Sequence, residues 1–305
     1  MDAARSPCDN VRVPSSLRLL LAAALFATGG ALIKACEFPS LQRAGTRAAI
    51  AAVTIFLLLP AARRWPNARI LRLAPAYFGA TCLFVVANSL TTAANAIFLQ
   101  SAAPLWLVLF APWLLKEPLT KKDLLVLLGV GIGMALFFIA PATVAATAPD
   151  PRLGDQIAIA SGVSWALLLL GLRWLARAGR DEAPAAIAWG NVLTFPAAFA
   201  LMPLVGQTPV VGSTQDWVVI SVLGTLQVGL AYVMLVRGIG GVPAVRASLL
   251  LMIEPALNPV IAWAAHGETP HPLAITGGVI IVGVVAASSV FGTRQDDAAT
   301  PTPAQ

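Results

Sequence analysis

The sequence predicts an all-α, polytopic membrane protein of ten transmembrane helices, arranged as two inverted five-helix repeats. Three observations carry that prediction. Apolar residues make up 58% of the 305-residue chain and charged residues only 11%, against about a quarter charged in a soluble domain, so a soluble fold of this length would lack polar groups to cover its surface. The apolar residues fall into ten runs of spanning length. A Pro-to-Glu pattern also occurs twice, once in each half of the chain.

A bilayer core about 30 Å thick takes about 20 residues of helix at about 1.5 Å each. The first run, Leu17–Ala35, follows Arg12 and Arg18 and is long enough to span, which favours an uncleaved helix over a signal peptide. Leu32–Cys36 has the look of a lipoprotein cleavage site, but Lys34 inside it argues against one. The second run, Leu41–Leu59, stops before the break Arg63-Arg64-Trp65-Pro66. Ala74–Thr92, Ala96–Leu115 and Leu124–Thr143 complete the first half, and Pro149-Asp150-Pro151 divides it from the second. There the runs are Ile157–Leu175, Ala185–Val205, Trp217–Val236, Ala244–Ala264 and Leu273–Phe291. The expected domains are 17–143 and 154–292, and the polar or Pro/Thr-rich tails 1–15 and 294–305 are expected to be disordered and cytoplasmic.

The charges test this count. With the N-terminus cytoplasmic, the inner segments hold 16 of the 20 basic residues, leaving only Lys34, Arg43, Arg47 and Arg152 outside. Adding or losing one helix scrambles so lopsided a split. The expected location is therefore the cytoplasmic membrane, multi-pass, with both termini inside. The net charge of +6 is scattered between apolar runs, with no basic stripe interleaved with aromatics, which excludes nucleic acid as the natural partner. Three dispersed cysteines give neither a disulfide framework nor metal-ligand spacing.

Pro104 precedes Glu117 by 13 residues, and Pro255 precedes Glu268 by the same 13. With five helices per half, an odd number, the two copies insert in opposite senses, and the charges agree. The Glu117 loop carries Lys116, Lys121 and Lys122, whereas the Glu268 loop has neither Lys nor Arg. Inverted repeats of this kind build secondary transporters, with the solute site near the midplane between the halves.

A helix with a central Pro, a Glu thirteen residues on and then a Gly-rich helix, twice in ten helices, resembles the drug/metabolite transporter superfamily and its EamA-type members. The Gly-rich followers are Gly129, Gly131 and Gly133, then Gly277, Gly278 and Gly283. Arg47 resembles the Arg that opens the family's second helix, and Trp165-Ala166 resembles the Trp-Ala pair of its second repeat. Lys116 departs from the Gly that often precedes the first Glu. The resemblance implies a ten-helix bundle around a central cavity, alternating access, and export of amino acids, other metabolites or toxic compounds.

An ionisable residue at mid-bilayer costs about 2.5–3.5 kcal/mol, so one that is retained faces the bundle interior or a wet cavity. Glu254, directly before Pro255, is the clearest case. Carboxyl groups in apolar surroundings hold their protons tightly, which makes Glu254 a candidate for proton coupling or for binding a solute amine, and protons candidate partners. The simpler reading is a carboxylic acid bonded to a carbonyl freed by the proline. Arg43 and Arg47 lie four apart on one face of the second helix. Arg47 reads as a carboxylate or phosphate clamp or as a snorkelling side chain, and Arg43 is expected to snorkel to headgroups. Arg246 lies two turns before Glu254, too far for a direct pair.

The neutral polar residues Asn88, Asn95, Gln100, Gln227, Tyr232 and Asn258 join Arg47 as candidate substrate-binding positions along the wet face of the fourth, eighth and ninth helices. Polar groups also glue helices together, and Gly29-Gly30 lets backbones approach. Pro104 and Pro255 each free a carbonyl one turn earlier and are candidate gating kinks. Trp106 and Trp263 read as solute-stacking or as interfacial residues. Glu117 and Glu268 read as helix-capping or inter-half ion-pairing residues.

The rival class is a membrane-embedded enzyme acting on a lipid or isoprenoid. It would want an acid or metal cluster, yet the only histidines, His266 and His271, flank Glu268 in one short loop interrupted by Pro270. No phosphate-binding Gly loop followed by Lys appears, which removes an ATP-driven pump within this chain. No cofactor or metal site is expected. The expected partners are a small solute and the lipid bilayer, and a homodimer is compatible with the sequence.

Overall fold

The computed structural model describes residues 14–103, 105–106, 109–110, 121–139, 146–177, 182–239, 250–251 and 253–296. Among them there is no strand, and ten helical segments follow one another along the chain. They are α1 (Ser15–Lys34), α2 (Ser40–Leu58), α3 (Ala68–Leu90), α4 (Ala93–Gln100), α5 (Lys121–Ile139), α6 (Pro151–Arg177), α7 (Ala183–Leu201), α8 (Thr214–Gly238), α9 (Ile253–His266) and α10 (Pro272–Asp296). Six of these, α1, α2, α3, α6, α7 and α8, contain stretches long and apolar enough to cross a membrane.

Local chemistry sets where the helices begin. The Asn67 side chain accepts from the N–H groups of Arg69 and Ile70, both at 3.0 Å, so α3 starts six residues before its apolar run. Thr92 caps α4 through Asn95 N–H at 3.1 Å. Ser213 and Asp216 form a capping box that opens α8. α9 closes on Gly267 at φ +66°, a left-handed turn in which the Gly267 N–H returns to Trp263 O at 2.8 Å.

The long helices bury one face and turn large apolar residues outward on the other. In α2, Ala48, Ala51, Ala52 and Ile55 are buried, while Val53 and Leu57 stand exposed. That is the pattern expected of a bundle whose outer solvent is hydrocarbon.

The closest packings follow a regular scheme. α2 lies on α7, and α5 lies on α10. α1 packs on α8 and α9, whereas α6 packs on α3 and α4; α2 also meets α8, as α7 meets α3. Exchanging each helix with the one five places later reproduces these contacts. A second correspondence lies inside α3 and α8, each of which widens into a π-helical stretch, Gly79–Leu83 and Leu223–Leu230.

Side-chain bonds identify the two ends of the bundle. At one end the α1 terminus (Lys34), the α3–α4 junction (Thr91), the loop residue Thr147 and Glu268 come together. At the other, Arg18 donates to Arg237 O at 3.3 Å, Asn67 donates to Glu182 at 2.8 Å, and Trp189 donates to Arg64 O at 2.8 Å. α1 therefore runs from the second end to the first, and α6, which starts beside Leu90 and Thr91, runs the opposite way.

Candidate functional site

The polar residues inside the bundle gather where backbone is irregular. A π-helical turn leaves carbonyls without their usual partners, and in lipid these must be satisfied from elsewhere. In α3 the carbonyls of Ala80 and Thr81 accept side-chain donors from neighbouring helices. Ser161 of α6 donates to Ala80 O at 2.9 Å, and Gln100 of α4 donates to Ala80 O at 3.0 Å and to Ser161 at 2.7 Å. Arg47 of α2 donates to Thr81 O at 3.1 Å. Four helices thus meet over one wide turn.

From there the cluster extends across to the other half of the chain. Arg47 Nη1 donates to Gln227 Oε1 at 3.4 Å, and Gln227 Nε2 donates to Phe26 O at 3.4 Å. Gln227 stands in the π-helical stretch of α8, so Arg47 joins the two irregular turns. Tyr232, one turn further on, packs edge-on against Phe26 with centroids 5.2 Å apart and lies 6.1 Å from Tyr77. Asn191 of α7 donates to the Tyr77 hydroxyl at 2.6 Å. Tyr77 and Tyr232 lie close to Arg47, and Glu254 lies within electrostatic reach of Tyr232.

Asn258 of α9 reaches the same region. Gly29 and Gly30, just past the interruption of α1 at Thr28, make the approach possible. A Cβ on Gly29 would come within 2.7 Å of Gln227 Nε2, and one on Gly30 within 2.6 Å of Asn258 Oδ1. Asn258 is fully buried, and neither its amide nitrogen nor its amide oxygen has a partner among the described residues. Asn88 is also fully buried; its nitrogen donates to Phe84 O at 3.1 Å, but its oxygen is unpaired.

The candidate positions therefore divide. Arg47, Gln227, Tyr232 and Asn258 are brought together, with Asn88 buried near the Thr91 end of α3. Gln100 is engaged in tying α3 to α6, and Asn95 donates to Asp155 at 3.1 Å near the first end of the bundle, where Thr91 also donates to Asp155 at 2.7 Å. Glu254 is half-buried in the first turn of α9 and makes no hydrogen bond or ion pair with any described residue. Pro255 is buried beside it, and α9 holds a second internal proline, Pro259. Pro104, Glu117, Arg246 and Ser248 lie outside the described residues.

One expectation is overturned. Arg43 does not snorkel to headgroups; it is 7% exposed and turns inward, donating to Ile33 O at 2.6 Å and Phe38 O at 2.7 Å. One acceptor lies near the end of α1 and the other in the loop before α2, and these buried carbonyls hold the guanidinium inside the bundle. Sequence spacing could not reveal this, because the acceptors are backbone atoms of another element. Tyr77 and Asn191 were missed for a similar reason: each is a single polar residue in an apolar run, and only the fold places them beside Tyr232.

Trp263 is 58% exposed, on the outside of the bundle. It lines a groove of about 570 Å³ with Phe98, Pro259, Gly278, Val279 and Val282. No charged or amide side chain lines that groove, so a polar solute has nothing to bind there. Among the described residues no group of His, Cys, Asp and Glu could hold a metal ion.

Comparison with known proteins agrees with the helical architecture. The EamA-like transporter family matches the chain twice, over residues 14–139 and 152–290. An uncharacterized transporter of Bacillus subtilis (strain 168), YyaM, is 25% identical over 219 residues, covering 70% of each chain. A solved crystal structure superposes with a TM-score of 0.62 at 21% identity, covering 90% of this chain and 98% of the other; at that identity the likeness concerns the fold alone.

Proposed function

This chain belongs to the EamA-like transporter family, and from that premise we propose that it is a secondary transporter exporting a small metabolite, amino acid or toxic compound by alternating access. Its membrane character, its family and a relative named as a transporter point to transport and not to an enzyme acting on a lipid or isoprenoid.

In this reading ten helices cross the membrane as two inverted repeats, 17–143 and 154–292. The double family match supports that division, as do the exchange relation among helix contacts, the paired π-helical stretches and the opposite directions of α1 and α6. Both termini are cytoplasmic, because the end carrying Arg18, Arg63, Arg64 and Arg237 is the basic one.

The observation that carries the proposal is the Arg47–Gln227 contact, a buried polar link between the two halves beside the unpaired amide of Asn258. A polar hollow shared by both repeats is where an alternating-access carrier holds its solute. Arg47, Gln227, Tyr232, Asn258 and Asn88 bind it; Asn95 and Gln100 support the helices that frame it. Glu254 exchanges a proton with the hollow, and Pro104 and Pro255 hinge their helices.

Counterflow in proteoliposomes tests the proposal. A carrier exchanges labelled for unlabelled solute without net flux, and a chain that shows only hydrolysis, or unsaturable leak, is not one. Labelling of single cysteines at the Lys121 and His266 hairpins tests the threading, which requires them on opposite faces.

A further inference from the structure

Three basic side chains among the described residues are buried in the bundle, and the structure answers their charges differently. Lys34 has a carboxylate, Glu268, at 2.9 Å. Arg43 has two short bonds to carbonyls, at 2.6 and 2.7 Å, and Asp216 within electrostatic reach. Among the described residues Arg47, at 4% exposure, has only a long bond to Gln227 at 3.4 Å and an ordinary one to Thr81 O at 3.1 Å. Among the described residues its ionisable neighbours are Tyr77, Tyr232, Cys82 and Arg43, none of them a carboxylate.

A buried cation without a counter-ion costs several kcal/mol, and a guanidinium offers a planar fork of donors matched to two oxygens of one anion. Beside it stands a second unmet demand. Asn258 is wholly buried with both amide atoms unpaired, and its contact glycine, Gly30, adjoins the Gly29 that receives Gln227. A donor without an anion and an amide without a partner, among the described residues, thus flank the same stretch of α1.

We infer that the solute carries an oxyanion, a carboxylate or a phosphate, which docks on the Arg47 guanidinium beside Gln227, with Asn258 completing the contact from α9. The inference rests on the transport reading and narrows its substrate class, since an organic cation would meet like charge at this point.

The test uses the purified full chain in lipid nanodiscs, with thermal unfolding followed as succinate, inorganic phosphate or tetraphenylphosphonium is added. Succinate or phosphate raises the unfolding temperature saturably, the stronger of the two naming the anion, and tetraphenylphosphonium does not. Gln227→Glu places a carboxylate of the same size against Arg47 and supplies the missing counter-ion from within. It weakens anion binding by at least about tenfold without lowering the unfolding temperature of the unliganded protein. Arg47→Gln weakens it as much, and Arg47→Lys restores part of it.

A saturable response to tetraphenylphosphonium alone, no response to either anion, or an anion response that survives in both Gln227→Glu and Arg47→Gln overturns the inference. Counterflow separates its failure from that of the transport reading. Arg47-dependent anion binding with no counterflow of any probe removes transport and keeps the anion site. Counterflow of tetraphenylphosphonium unaltered by Gln227→Glu does the reverse.

Discussion

Lys34 and Glu268 stand 2.9 Å apart with their side chains 3% and 4% exposed, the one ion pair among the described residues, and they join the end of α1 to the turn after α9. Each partner is further committed. Lys34 donates to Thr91 O at 2.8 Å and to Thr147 O, and Glu268 Oε2 accepts the Ala93 N–H at 2.9 Å, at the start of α4. One pair of charges therefore gathers four pieces of chain at one end of the bundle. Glu268→Gln leaves a buried ammonium without its counter-ion, and breaking such a pair costs about 3–5 kcal/mol. The unfolding temperature falls sharply in Glu268→Gln, and the double variant Lys34→Met/Glu268→Gln recovers most of the loss. Equal losses in the single and double variants would rule out the coupling.

Cys36 follows Lys34 in the turn outside the spanning segments. It is 2% exposed, and burial pushes its thiol up from the usual value. Two factors therefore slow its attack on a maleimide, poor access and a small thiolate fraction. Cys36 in the native protein is expected to resist labelling at neutral pH and to label readily in Glu268→Gln, where the surrounding contacts loosen. Rapid labelling of the native thiol would contradict the closed arrangement at this end.

Gly30 and Gly131 are both helical glycines, yet an added methyl meets different surroundings. At Gly30 it would approach Asn258 Oδ1 to 2.6 Å and the Ala93 Cβ to 2.8 Å; at Gly131 nothing lies within 4 Å. Gly30→Ala is expected to destabilise by about 1–3 kcal/mol through overpacking. Gly131→Ala is expected to be neutral or to stabilise by up to about 1 kcal/mol, as alanine does within helices. Chemical denaturation of the two variants in the same detergent checks the contrast, and equal effects would refute the close approach at Gly30.

Asn258 offers a separation of stability from transport. Its amide is buried without a partner among the described residues, so removing it lowers an unmet desolvation cost. Asn258→Ala is expected to hold or raise the unfolding temperature while counterflow drops by about tenfold or more. A variant that loses stability and keeps counterflow would mark Asn258 as packing alone.

Glu254 makes no bond to a described residue, so a change in its protonation breaks none of the described contacts. Glu254→Gln mimics the protonated form permanently. It is expected to keep solute exchange and to lose any export driven by a pH gradient. Gradient-driven export that persists in Glu254→Gln excludes Glu254 as the coupling group.

Periodicity and apolar length made the helices legible, and the basic residues made their ends legible, because both follow from the lipid solvent acting on every residue alike. The starts of α3 and α6 were misjudged by six residues each, since Asn67 and Pro151 initiate helices ahead of the hydrophobic runs. The site was legible only as a set of residue types. Arg47 and Gln227 are 180 positions apart, and nothing in either segment states that they touch. Likewise Asn95 and Gln100 look like solute contacts in the sequence, whereas Asp155, Ser161 and Ala80 O occupy their amides in the fold.

The wide turn at Gly79–Leu83 also sets a phase. One extra residue in a turn rotates everything beyond it by about 100° relative to an unbroken α-helix. Asn88, five residues past that turn, owes its bearing to that rotation; without it the amide would swing by about 100°, onto the bearing that Ser89 now holds. The angular address of a polar group in α3 is thus written in backbone winding upstream, and a single-residue deletion there would redirect the helix while leaving its composition almost untouched.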